Sequence, residues 1–223
     1  MKALIPVYEK MKGVVKFLYK QLKLNKHEKT KGRKLAISIV DTISLALFKQ
    51  SNGIPTKKKI HEIFNLKCSY KTLVVNINRF AHLALLVLVT LLKINRRNSH
   101  LVQHTDSTEI PVCLPKNGNS HKTMKGLAQW GNTGRSWFFG LKMHLTTDLK
   151  KRLLAIRFTS GNVHDRQVFL ELNKDLFGIF VADTAYVSKK LEKDFNIEGK
   201  RILLAKPRKS MIKINDWISI LSF

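Results

Sequence analysis

Asp106 and Asp183 are the residues whose type and spacing most directly suggest chemistry. Each ends a short run of strand-forming character, Leu101-Val102-Gln103-His104-Thr105 before the first and Gly178-Ile179-Phe180-Val181-Ala182 before the second, 77 positions later. The interval reads as two further strands and a helix. A chain so arranged can return its second acid beside its first, on a neighbouring strand about 4.8 Å away. Paired carboxylates can hold one or two divalent cations, and such ions orient and stabilise phosphodiester displacement. Magnesium suits the pair because it takes carboxylate and water oxygens and leaves positions for phosphate. The plain alternative is that each aspartate caps a strand or turn. A metal site of this kind normally takes a third carboxylate, and none stands out in the 40 residues after Asp183.

The composition favours a polyanionic partner. The 223 residues carry 41 Lys+Arg against 15 Asp+Glu, a net charge of +26. Self-repulsion of that size is most easily tolerated by a protein that works on nucleic acid, with an anionic membrane as the rival partner. A hydrophobic content of 44% argues against wholesale disorder. Cys68 and Cys113 are isolated, which excludes a disulfide framework and a zinc finger and fits a reduced setting. No secretory signal is expected at the N-terminus. The most apolar stretch, Ala81 to Leu92, is too short for a bilayer, which takes about 20 residues, and reads as a buried helix.

Charge and pattern divide the chain near residue 98. Residues 1–99 have a net charge of +17 and residues 100–223 one of +9. The expected organisation is a helical DNA-binding region over 1–98 and a mixed β-sheet domain over 99–223. Leu35, Ile39, Ile43 and Leu47 recur at a helical spacing of four. A helix begins near Thr56, and a second short one runs from about Tyr70 to His82 after a tight break. The pair resembles a helix-turn-helix, whose second helix enters a major groove. Lys57, Lys58, Lys59, Lys71 and Arg79 are the candidate DNA contacts there; the alternative is a plain packing bundle with a solvated charged face.

Beyond residue 99 the period becomes two. Leu141, Met143 and Leu145 alternate with Lys142, His144 and Thr146, which predicts a half-buried strand with the apolar residues inward. Leu153 to Phe158 is the next strand, Asp165 a helix N-cap, and the predicted order is β-β-β-α-β-α-β. His144 and His164 are candidates to line a site or to be ordinary strand and turn residues. His100 and His104 would share a face only on a helix, and a strand is expected there. Lys116, Lys122, Lys125 and Arg135 interleave with Trp130, Trp137 and Phe138, a stretch able to follow phosphates and stack a base, or to be a solvated loop with buried rings.

The residues from His104 to Ser210 resemble the catalytic domain of bacterial insertion-sequence transposases of the DDE type. The likeness rests on His104-Thr105-Asp106-Ser107, Trp137-Phe138-Phe139-Gly140-Leu141-Lys142-Met143-His144, Ser160-Gly161-Asn162-Val163-His164-Asp165 and Ala182-Asp183-Thr184-Ala185-Tyr186. It implies a ribonuclease-H-like fold, metal-dependent cleavage and strand transfer at insertion-sequence ends, and Mg²⁺ or Mn²⁺ as cofactor. It implies Asp106 and Asp183 as the first two acids of the triad. Lys206, Arg208 and Lys209 leave the last strand near that presumed site and are candidates to contact scissile-region phosphates. The implied partners are element ends and target DNA, with a homodimer possible and no membrane, in the cytoplasm at a bacterial nucleoid. The family's third acid is a glutamate on a helix after the strand matched by Ile202 to Lys206. Met211 to Phe223 contains no glutamate, and Glu192 and Glu198 precede that strand. The expectation is therefore an incomplete domain in a truncated chain with impaired catalysis. A DNA-binding remnant and a nuclease of the same fold are the alternatives.

Overall fold

Ser38, Thr56 and Ser69 begin three helices in the same way. Each side-chain oxygen accepts the backbone N–H three residues on, from Asp41, Lys59 and Thr72, a cap that stabilises a helix by about 1 kcal/mol. The computed structural model describes residues 4–28, 34–134, 136–196 and 200–205. Its compact units are Met1–Leu91 and Leu92–Phe223.

The first unit is helical: α1 (Leu4–Gln21), α2 (Ile39–Ser51), α3 (Lys57–Ile63), α4 (Tyr70–Arg79) and the first part of α5 (Ala81–Arg97). The four-residue spacing in α2 buries Ile39 and Ile43 against Val15, Leu18, Leu83 and Val87. A second cluster gathers Tyr8, Phe48, Ile60 and Leu73. Asp41 fastens α1 to α2, accepting from the Tyr8 hydroxyl at 3.2 Å and pairing with Lys12 at 2.7 Å.

Two expectations change here. The second short helix stops at Arg79 rather than His82, and α4 and α5 are bent by 53° at that break. The segment 81–92 is helical but not buried. Only Leu83 and Val87 are fully covered, while Leu85, Leu86, Leu88 and Val89 are exposed. One stripe of a helix reaches the core, and an all-round apolar sequence leaves the remaining angles outside it. Among the described residues no single helix is long and apolar enough to cross a membrane; α4 and α5 would suffice only together.

The second unit is built on β1 (Val102–Cys113), β2 (Gln129–Asn132), β3 (Trp137–Asp148), β4 (Leu153–Ser160), α6 (Asp165–Leu172), β5 (Gly178–Ala182), α7 (Lys189–Phe195) and β6 (Arg201–Ala205). The strand order is β2-β3-β1-β5-β6, with β4 also on β3. β1, β3 and β4 form an antiparallel meander, and β5 and β6 join parallel to β1. This is the mixed α+β arrangement expected, with the short strand β2 added.

The period-two reading of β3 has its faces reversed. Lys142, His144, Thr146 and Asp148 are the buried residues, and Leu141, Met143 and Leu145 are only half-buried. The polar face goes inward because each group finds a partner there. Thr105, Thr146 and Asn173 close a ring of hydrogen bonds, with Thr105–Thr146 at 3.0 Å and Thr146 donating to Asn173 at 2.6 Å. Asp148 accepts from Arg152 at 2.8 Å and from two turn N–H groups. Alongside them lies the apolar core of α6, α7 and the sheet, including Phe169, Phe180, Tyr186 and Phe195.

Candidate active site

The β1–β5 register ends with Thr105 beside Ala182. One residue further on each strand stand Asp106 and Asp183. Thr105 and Ala182 are both buried, so their successors turn to the opposite face of the sheet. Both aspartates are exposed, and parallel neighbours lie about 4.8 Å apart. Asp106 is thus not at the end of its strand, as expected, but within a 12-residue strand. β1 continues because β3 pairs with it to Cys113, whereas β5 stops at Ala182. Asp106 marks the place where the parallel neighbour ends.

Each carboxylate spends one oxygen on the next residue. Asp106 Oδ1 accepts the Ser107 N–H at 2.7 Å, and Asp183 Oδ1 accepts the Thr184 N–H at 2.6 Å, capping the 3-10 turn Thr184–Tyr186. Among the described residues neither acid has a cationic partner, despite the surplus of lysine and arginine. One further group registers both. Burial pushes the Tyr186 hydroxyl pKa up, and the charges of Asp165, Asp106 and Asp183 push it further.

On the covered side of the sheet lies a buried polar cluster that sequence reasoning did not assemble. Lys142 Nζ donates to the Val163 carbonyl at 3.0 Å and pairs with Asp165 at 3.2 Å. Glu109 is the cross-strand partner of Lys142. His144 Nε2 meets the Thr159 hydroxyl at 2.9 Å, and its Nδ1 lies 3.7 Å from Asp165. Burial pushes the His144 pKa down, favouring the neutral ring. Asp165 is therefore not the helix N-cap; His164 holds that position, without a side-chain cap bond, and Asp165 sits in the first turn of α6. The available signal was Lys142 and His144 sharing a strand face with Thr146. His100 and His104 do not pair, since His100 Nδ1 accepts the Val102 N–H and His104 lies in β1.

The chemistry of Asp106 and Asp183 suits a hard divalent cation, with exposed carboxylate oxygens of two strands on one face. Among the described residues no group of three His, Cys, Asp or Glu side chains converges to hold a metal.

The candidate DNA contacts of the first unit fall on α3 and α4. Lys58, Lys59, Lys71 and Arg79 are exposed, while Lys57 is half-buried and donates to Asn78 at 2.6 Å. His61 Nε2 meets the Cys68 carbonyl at 2.7 Å and ties the intervening turn to α3. Lys206, Arg208, Lys209 and Arg135 lie outside the described residues. In the basic-aromatic stretch Lys116, Lys122 and Lys125 are exposed, as is Trp137, whereas Phe138 is buried and Trp130 donates to Asn119 at 2.9 Å.

The family described as transposase DDE domain matches residues 96–218, more than half of the chain. No curated protein matches it. Among solved structures the chain is similar to piggyBac transposase in a synaptic complex with hairpin DNA, at 11% identity and a TM-score of 0.47, over 92% of this chain and 50% of that one. It is also similar to Mos1 transposase in a paired-end complex with the left transposon end, at 15% identity and a TM-score of 0.31, over 82% and 62%. A Mos1 mariner paired-end complex with Mn gives 13% identity and 0.31, over 86% and 67%. The chain thus spans half the length of the piggyBac chain.

Proposed function

This chain belongs to the transposase DDE domain family, and on that premise we propose that it acts in DNA transposition, with Asp106 and Asp183 as two of the acids that hold its metal ions. The observation that supports the reading is the β1–β5 register, which ends with Thr105 beside Ala182, each followed by an exposed aspartate that has no cationic partner among the described residues. Mg²⁺ or Mn²⁺ held there supplies activation of water and stabilisation of the leaving oxygen in phosphodiester displacement. The protein's own part is to fix the two carboxylates by the Ser107 and Thr184 N–H groups, so that one oxygen of each is oriented before an ion arrives. The exposed Lys58, Lys59, Lys71 and Arg79 hold backbone phosphates of the element ends, with Lys57 braced on Asn78, and Lys206, Arg208 and Lys209 act near the scissile phosphate. The proposal extends to insertion-sequence ends and target DNA as partners, two copies pairing the ends, and work at a bacterial nucleoid.

A second reading, DNA binding without cleavage, is favoured by one observation. Among the described residues no third carboxylate joins the pair. A metal site short of a ligand loses affinity and geometry together, so end binding survives where catalysis fails.

Incubation with a cognate end duplex and Mg²⁺ or Mn²⁺ separates the possibilities. Nicking followed by joining supports transposition, retention without cleavage supports the binding remnant, and nicking without joining indicates a nuclease. If Asp106→Asn and Asp183→Asn leave an observed cleavage intact, the assignment of both acids is wrong.

A further inference from the structure

Tyr186 stands close in sequence to Asp183 but packs on the other side of the sheet. Tyr186 ends the 3-10 turn that Asp183 caps, and its N–H donates to the Asp183 carbonyl at 3.0 Å. Its ring does not follow Asp183 to the exposed face. It packs into the core, 1% exposed, with its centroid 5.5 Å from that of Phe169 in α6. There its hydroxyl approaches the Ser107 side chain without closing a hydrogen bond. Ser107 is the residue whose N–H orients Asp106 Oδ1. Ser107 also stands opposite His144 across the β1–β3 pairing, and the Asp165 carboxylate acts on the phenol through its charge. The hydroxyl of Tyr186 and Nδ1 of His144 are buried without a hydrogen bond, while Asp165 Oδ1 has the Lys142 ion pair. Two such groups, from a turn and a strand, stand out in an interior where buried polar groups are normally satisfied.

We infer that Tyr186 is a positioning residue for the acid pair: its ring fixes the Asp183 turn against α6, and its hydroxyl braces Ser107 and through it the Asp106 carboxylate. The inference rests on the metal-holding role proposed above. Outer-sphere groups of this kind set the separation and aim of ligands they do not replace. A ring anchored in the core is suited to this, because a rigid side chain transmits position with little loss to rotamer freedom.

The test is Mn²⁺ binding by the full chain, followed by the electron paramagnetic resonance signal of free Mn²⁺, with thermal unfolding followed by circular dichroism. Asp106→Asn and Asp183→Asn should each abolish tight binding. Tyr186→Phe, which keeps the ring, should weaken binding by about tenfold, and Ser107→Ala should do the same. Both should melt within about 4 °C of the wild type, since each removes a single hydroxyl from a chain this size and keeps the packing around it. Wild-type affinity in Tyr186→Phe and Ser107→Ala, with loss in the aspartate variants, overturns the positioning role and leaves the metal site standing. A fall in melting temperature with affinity unchanged overturns it as well, since that is a purely structural effect. Retention of binding by the aspartate variants removes the site itself. Should Tyr186→Phe fail to fold, Ser107→Ala decides.

Discussion

Replacing Asn173 by alanine tests the interior on which Asp106 rests. Asn173 is fully buried at the C-terminal end of α6. Its Oδ1 accepts from Thr146 at 2.6 Å, and its Nδ2 donates to the Phe169 carbonyl at 3.1 Å and to Thr105 at 3.5 Å. Two of these bonds are short, at about 1 kcal/mol each, and the long third contributes less. The loss is softened, because Thr105 and Thr146 still bond each other and Phe169 O keeps the backbone N–H of residue 173. A small void adds to it. The expected destabilisation is about 2–3 kcal/mol. Urea unfolding followed by tryptophan fluorescence measures it, since Trp130 and Trp137 lie in the second unit and residues 1–91 hold no tryptophan. At an m-value of about 2 kcal/mol/M the midpoint should fall by about 1 M. Met143→Thr on the half-buried face should cost less than about 1 kcal/mol. If Met143→Thr proves the more damaging of the two, the assignment of faces to β3 is wrong.

Three further outcomes follow from local physics. Burial pushes the Asp148 carboxyl up, but Arg152, its backbone N–H and that of His100 outweigh this and hold it at about 2. The ionised form is thus favoured by folding, so its contribution is complete above the ordinary carboxyl value of about 4 and is lost as pH falls toward 2; Asp148→Asn should flatten the acid limb of a stability–pH curve. Gly178 has φ +119°, and an added Cβ would press on the Leu101 carbonyl, so Gly178→Ala should destabilise by at least about 2 kcal/mol in the same urea assay. Lys71→Ala with Arg79→Ala should reduce the slope of log affinity for duplex DNA against log salt by about 2, one for each phosphate that is no longer neutralised; an unchanged slope would remove α4 from the interface.

The linear order of residues was sufficient for the helical beginning and the strand–helix alternation, and it singled out the two acids as candidates. Those features rest on local signals: Ser38, Thr56 and Ser69 cap because the preference is written within four residues, and Asp106 and Asp183 each follow a strand-forming run. Three-dimensional packing decided what had no local signal. The inward turn of Lys142, His144 and Thr146 depends on Asp165, Thr159, Asn173 and Thr105, partners up to 41 positions away in sequence. An alternating strand looks the same whichever face is covered, and a polar face can go inward only if distant groups satisfy it. The extension of β1 past Asp106 likewise came from β3. The place of Tyr186 is a matter of packing too, since only the folded chain brings its ring behind the strand that carries the other acid.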